Sequence, residues 1–164
     1  MKSSKLRLGE LLISHGLLAP WQVEQALQEQ LRTKEFLGSL LVRKQWVTEE
    51  TLLRTLAEQF GIPYVHLMEE MVNWRVAGRF SHTMMLEHLC VPIQMDAHSL
   101  TAAIANPLDA WIVSELERLA GARKVHLVLA LAQDIRAIIR RAHQEALNHL
   151  EEAMRDADAE PRDS

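Results

Sequence analysis

The sequence predicts an α+β fold: four short N-terminal helices packed on a small C-terminal α+β subdomain with a three-stranded antiparallel sheet. Three observations carry this expectation. Residues 7–30 and 36–59 repeat one helical pattern. After Gly61 the apolar spacing changes from helical to strand-like. Two strand candidates, "EHLCVPIQM" and "SLTAAIAN", then flank the polar turn "DAHS", as in a hairpin. The expected organisation is a helical subdomain over 1–61, an α+β subdomain over 62–150 and a flexible tail over 151–164.

Each element has a local reason. Leu8, Leu11, Leu12 and Ile13 make one apolar helical face, and Gly16 is a natural stop. Pro20 fits the first turn of a second helix, "PWQVEQALQEQL". Leu37, Leu40, Leu41 and Val42 repeat the first face. Thr48 caps "EETLLRTLAEQF", with Glu49 and Glu50 near the positive end of the helix dipole and Gly61 and Pro63 closing it. Helices this short need tertiary packing to persist. Residues 71–87 carry one or two irregular helical pieces. Beyond the hairpin, Asn106, Pro107 and Asp109 open the helix "AWIVSELERLAG", which ends at Gly121. "KVHLVLAL" is the third strand, and "QDIRAIIRRAHQEALNHLEEAM" the last helix before a polar end expected to fray.

Composition narrows the function. With 164 residues, 48% hydrophobic and 24% charged, the chain is globular rather than disordered. Its formal charge of −4 argues against a nonspecific binder of nucleic-acid polymers, which needs an excess of cations. The N-terminal apolar run is broken by Arg7, Gly9 and Glu10, and no segment approaches the ~20 apolar residues of a membrane span. A soluble cytoplasmic protein without direct membrane insertion is expected. Cys90 is the sole cysteine, sits in "HLCVPI" and reads as a buried structural thiol. None of the eight histidines falls in a zinc spacing, and neither a GxSxG nor a GxxxxGK[ST] motif is present. The expectation is a protein with no catalytic residues, no metal and no cofactor.

The repeat is the informative feature. Two 24-residue copies, joined by "LRTKE", share Leu8/Leu37, Gly9/Gly38, Leu11/Leu40, Leu12/Leu41, Leu27/Leu56, Glu29/Glu58 and Gln30/Gln59. Most of these leucines read as core. Gly9 and Gly38 need another reason, because glycine early in a helix costs ~1 kcal/mol against alanine. Such a glycine lets something approach the backbone closely.

Arg-Leu-Gly, two residues, two aliphatics, two residues, Gly and two aliphatics, followed by Ala-Leu and Gln, resembles the cyclic di-GMP motif of MshEN domains. These domains stand at the N-terminus of the assembly ATPases of type II secretion and type IV pili. "AEQFGIPYVHL", "LEHLCVPIQMDAHSLTAAIANPLDA" and "ALAQDIRAII" extend the likeness over roughly residues 5–143. The resemblance implies that each copy holds half of the dinucleotide. The matching positions are Arg7, Leu8, Gly9, Leu12, Ile13, Gly16, Leu17, Leu18, Val23, Ala26, Leu27 and Gln30 in the first copy. In the second they are Leu37, Gly38, Leu41, Val42, Val47, Leu52, Leu56 and Gln59, with departures at Phe36, Gln45 and Thr55. Asn106 stands where family members often carry Asp. Arginine offers a planar cationic fork to phosphate or guanine. Phe36 can stack on a base but cannot neutralise phosphate, and at a helix start it also fits a core position.

Two functions follow from the resemblance. One is a noncatalytic docking module for the cytoplasmic domain of an inner-membrane secretion or pilus assembly protein, alongside an ATPase motor. The other is a cyclic di-GMP receptor whose affinity is lowered by the degenerate second motif.

Overall fold

The computed structural model describes residues 7–159. The chain divides into two compact units, with the division between Val65 and His66. The first holds α1 (Leu8–Ser14), α2 (Pro20–Thr33), α3 (Leu37–Arg43) and α4 (Glu49–Phe60). Their starts follow local chemistry. Pro20 occupies the first turn of α2, and the Gln22 Oε1 accepts from the Ala19 N–H at 2.8 Å. The Thr48 Oγ1 accepts from the Thr51 N–H at 3.1 Å and caps α4. Gly61, at φ 65°, ends α4 in the left-handed region that glycine adopts without strain. Helix packing crosses the repeats: α1 lies against α4, and α2 against α3. Leu12, Leu18, Val23, Ala26, Leu41 and Val47 form the buried centre.

The second unit begins with a 3-10 turn at Glu69–Met71, then α5 (Trp74–Ala77) and α6 (His82–His88), the irregular helical pieces expected there. Asn73 and Ser81 side chains cap the two helices. β1 (Cys90–Met95) and β2 (Ser99–Ile104) pair antiparallel, with a register slip between Pro92 and Gln94. The Asp96 Oδ1 accepts from the backbone N–H groups of His98 and Ser99, both at 2.7 Å, and so closes the hairpin turn. Those donors, His98 first, hold the Asp96 carboxyl below its ordinary range.

β3 (Lys124–Leu129) corrects the expected topology, because it pairs parallel with the central strand β2. The intervening helix α7 (Ala110–Ala120) carries the chain back before β3 begins, so the sheet is mixed. Asp109 caps α7, its Oδ1 accepting from the Ile112 N–H at 3.2 Å. α8 (Ala132–Ala159) buries Ile135, Ile138, Ile139 and Ala142 and contacts α5, α6, β1 and β2. Of the expected tail over 151–164, residues 151–159 continue this helix and residues 160–164 lie outside the described residues. Cys90 is fully buried, and burial, aided by the Asp109 charge, pushes its thiol up to about 12. It is a poor nucleophile at neutral pH.

Candidate ligand and docking site

The repeat copies superimpose chemically as well as in sequence. Gly9 and Gly38 sit at equivalent places in α1 and α3, and both are buried. A Cβ on Gly9 would lie 2.6 Å from the Val23 Cγ1, and one on Gly38 would lie 2.9 Å from the Leu52 Cδ2. Val23 and Leu52 are themselves the paired positions of the next helix in each copy. The close approach expected of these glycines is therefore made by a helix within the same copy.

The shared Glu29 and Glu58 also acquire a reason. The Glu58 Oε2 meets the His15 Nε2 at 2.8 Å, while the Glu29 Oε2 meets the Lys44 Nζ at 2.6 Å. His15 and Lys44 are equivalent repeat positions, so each copy supplies one partner to each of two matching cross-links. Arg43 adds a second cation to Glu29 at 2.8 Å. The Lys44 hydrogen bond is the largest influence holding the Glu29 carboxyl below its ordinary range. The shared identity of Glu29 and Glu58 thus has a structural cause in these two cross-links.

Gly16 and Gln45 form another matched pair, at φ 69° and φ 58°. Both positions reverse the chain after a seven-residue helix in the left-handed region. Gly16 has nothing within 4 Å of an added Cβ, so conformation, not crowding, explains it.

The predicted ligand residues separate into buried and accessible groups. Leu12, Leu18 and Leu41 are buried, and Leu8, Ile13, Leu37 and Val42 are partly buried against the same core. Gly9 and Gly38 are buried by helix packing. Arg7 is exposed at the N-cap of α1, where its N–H donates to the Glu10 Oε2 at 2.8 Å. Among the described residues its guanidinium makes no ion pair. Gly16 and Leu17 are exposed as well. Gln30 and Gln59 are half-buried; the Gln30 Nε2 donates to the Glu35 carbonyl at 2.8 Å and braces the spacer between copies. Asn106 belongs to the second unit, where its Oδ1 accepts from the Leu108 N–H at 2.9 Å in the turn before α7. Phe36, equivalent to Arg7 at the N-cap of α3, is 55% exposed and so is not a core residue.

Leu17 lines a cleft of about 290 Å³ with His15, Thr51, Arg54, Thr55 and Glu58. Leu17 is equivalent to Trp46, whose ring instead meets Trp21 edge-on at 5.7 Å. The helical unit thus has two similar edges with different side chains. Among the described residues, no group of three His, Cys, Asp or Glu side chains is placed to hold a metal ion.

The chain thus joins a duplicated four-helix unit to a unit built on a mixed three-stranded sheet. The chain belongs to the MshEN domain family, whose model matches residues 60–149. The chain is 29% identical over 150 residues to the type IV pilus assembly ATPase PilB of Myxococcus xanthus, covering 92% of this chain and 26% of that protein. It is 33% identical over 139 residues to the corresponding PilB of Thermus thermophilus, covering 84% of this chain and 15% of that protein. The chain therefore spans about a quarter or less of these relatives. Among solved structures, MshE with cyclic di-GMP aligns at a TM-score of 0.76 and 25% identity, covering 84% of this chain and 99% of that one. The N-terminal domain of XpsE aligns at 0.65 and 25% identity, covering 86% of this chain and 96% of that one. Among the described residues, no helix is long and apolar enough to cross a membrane.

Proposed function

We propose that this chain is a noncatalytic regulatory and docking module of a type II secretion or type IV pilus machine. In this reading it is cytoplasmic and is recruited to the inner membrane by the cytoplasmic domain of an assembly protein. The observation that carries the proposal is exposed apolar surface on the helical unit of a chain related to the N-terminal domain of XpsE. Leu27 and Leu31, four residues apart on one face of α2, are 45% and 72% exposed. Phe36 is exposed soon after them. Apolar anchors of this kind supply binding energy when a partner covers them. A pull-down of the isolated chain against each cytoplasmic domain of its own secretion or pilus apparatus tests the reading. Failure to retain any of them counts against it.

A second reading, binding of cyclic di-GMP, is supported by the matching first motif and by the MshE structure with that ligand. Arg7 is its accessible cation, and the equivalent Phe36 offers only a ring face. A charged hydrogen bond is worth ~1.5–3 kcal/mol, so Arg7→Ala should weaken any such binding roughly ten- to 150-fold. Phe36→Arg combined with Gln45→Gly should strengthen it. Calorimetry on the three proteins decides. Tight binding by the wild type that ignores Arg7→Ala would remove Arg7 from the site. Binding only by the restored variant would mean that the chain has kept the scaffold and lost the ligand.

A further inference from the structure

The 28-residue helix α8 is anchored only through its first half, since no residue from His143 to Ala159 is buried. That second part extends about 26 Å at 1.5 Å per residue. It nevertheless keeps an apolar line. Leu147, Leu150 and Met154 follow the alternating four- and three-residue spacing of a coiled-coil seam and are 41%, 61% and 68% exposed. Traced towards the N-terminus, the same spacing passes through His143, whose ring rests on His82, to Arg140 and Arg136. Both arginines are exposed, and among the described residues neither makes an ion pair. At the other end Glu151 and Asp158, seven residues apart, flank the line on one side. The only ion-pair partner of Glu151 among the described residues, Arg155, is 3.9 Å away. One exposed seam is therefore basic at its start, apolar in its middle and acid-flanked at its end.

We infer that this seam pairs with a second copy of the same helix in antiparallel orientation. Charge order selects both the occupant and its direction. A parallel copy would set arginine against arginine and acid against acid. An antiparallel copy instead stacks the leucines near the midpoint and brings Arg136 and Arg140 beside the second copy's acidic end. The apolar contact is short, so the association is of the weak, reversible class rather than an obligate dimer. Charge pairing at the exposed ends makes it salt-sensitive.

Sedimentation equilibrium on the 164-residue chain tests this, at low and high salt. The expected result is a monomer–dimer equilibrium weakened by salt. Leu150→Ala with Met154→Ala should weaken it roughly tenfold or more. Arg136→Glu with Arg140→Glu, and separately Glu151→Arg with Asp158→Arg, should each weaken self-association. Mixed one to one, those two charge-reversed proteins should associate again, and all four substitutions in one chain should restore the homodimer. Circular dichroism checks that each variant remains helical. A chain that stays monomeric at every concentration overturns the inference, including one that instead takes up a basic amphipathic peptide. A dimer indifferent to both the apolar truncations and the charge reversals overturns it as well.

Discussion

Glycine occupies two kinds of position in the repeats, and the distinction has measurable consequences. Gly9 is a packing glycine: Val23 is β-branched and stiff, so it has little freedom to yield to a Cβ 2.6 Å from its Cγ1. Gly9→Ala should cost about 1–2 kcal/mol net, since overpacking outweighs the ~1 kcal/mol gain in helix propensity. Adding Gly9→Ala to Val23→Ala should be neutral or favourable, because the clash is gone. Denaturant melts of that double-mutant cycle provide the check, with additivity as the contradicting result. Gly16 is a conformational glycine, and its equivalent Gln45 holds the same left-handed turn without glycine's freedom. Gln45→Gly should therefore stabilise the fold by about 0.5–1 kcal/mol in the same melts. The spacing of these glycines was legible in the sequence. What approaches Gly9, and the positive φ shared by Gly16 and Gln45, were not, because both depend on how the helices meet. The same holds for Glu29 and Glu58: their identity was visible, while their crossed partners came only with the fold.

At the scale of elements, short-range signals placed most helices and strands, and long-range pairing remained hidden. Thr48, Asp109, Pro20 and Gly61 act within one turn of their own position, so their roles could be read directly. The hairpin was equally local, since the Asp96 side chain organises its turn. β3 was recognisable as a strand, but its direction depended on where α7 delivers the chain. The lowered range of the Asp96 carboxyl sets a pH test of the hairpin. A depressed folded value means stabilisation present above the ordinary carboxylate range and lost as pH falls through the folded value. Asp96→Asn keeps an acceptor and removes the charge. Its thermal midpoint should lie below that of the wild type at pH 7, and the gap should narrow as pH falls below the ordinary carboxylate range. A gap that is constant with pH would show that the carboxylate charge does not support the turn.

For the whole molecule, duplication explains why so much of the first unit was readable and why its function was less so. Repeated Leu, Gly and Glu positions build a scaffold in which each copy packs upon the other. Many residues that match a ligand motif are consequently core: Leu12, Leu18 and Leu41 fill that interior. Arg7 and Leu17 remain accessible in the first copy, and Phe36 at the second copy's equivalent cap. Asn106 belongs to another unit and shapes a turn there. Sequence patterns report residue type and spacing, whereas accessibility depends on which faces the packing consumes. The apolar surface left on α2 connects this architecture to the proposed docking role. Its most direct test is a calorimetric titration of the wild-type chain with the cytoplasmic domains of its own inner-membrane assembly proteins, repeated with Leu31→Ala and Phe36→Ala. The predicted result is saturable binding to one domain, weakened roughly tenfold or more by loss of an anchor, with the fold unchanged. No binding to any of these domains, or binding indifferent to both truncations, would contradict the account.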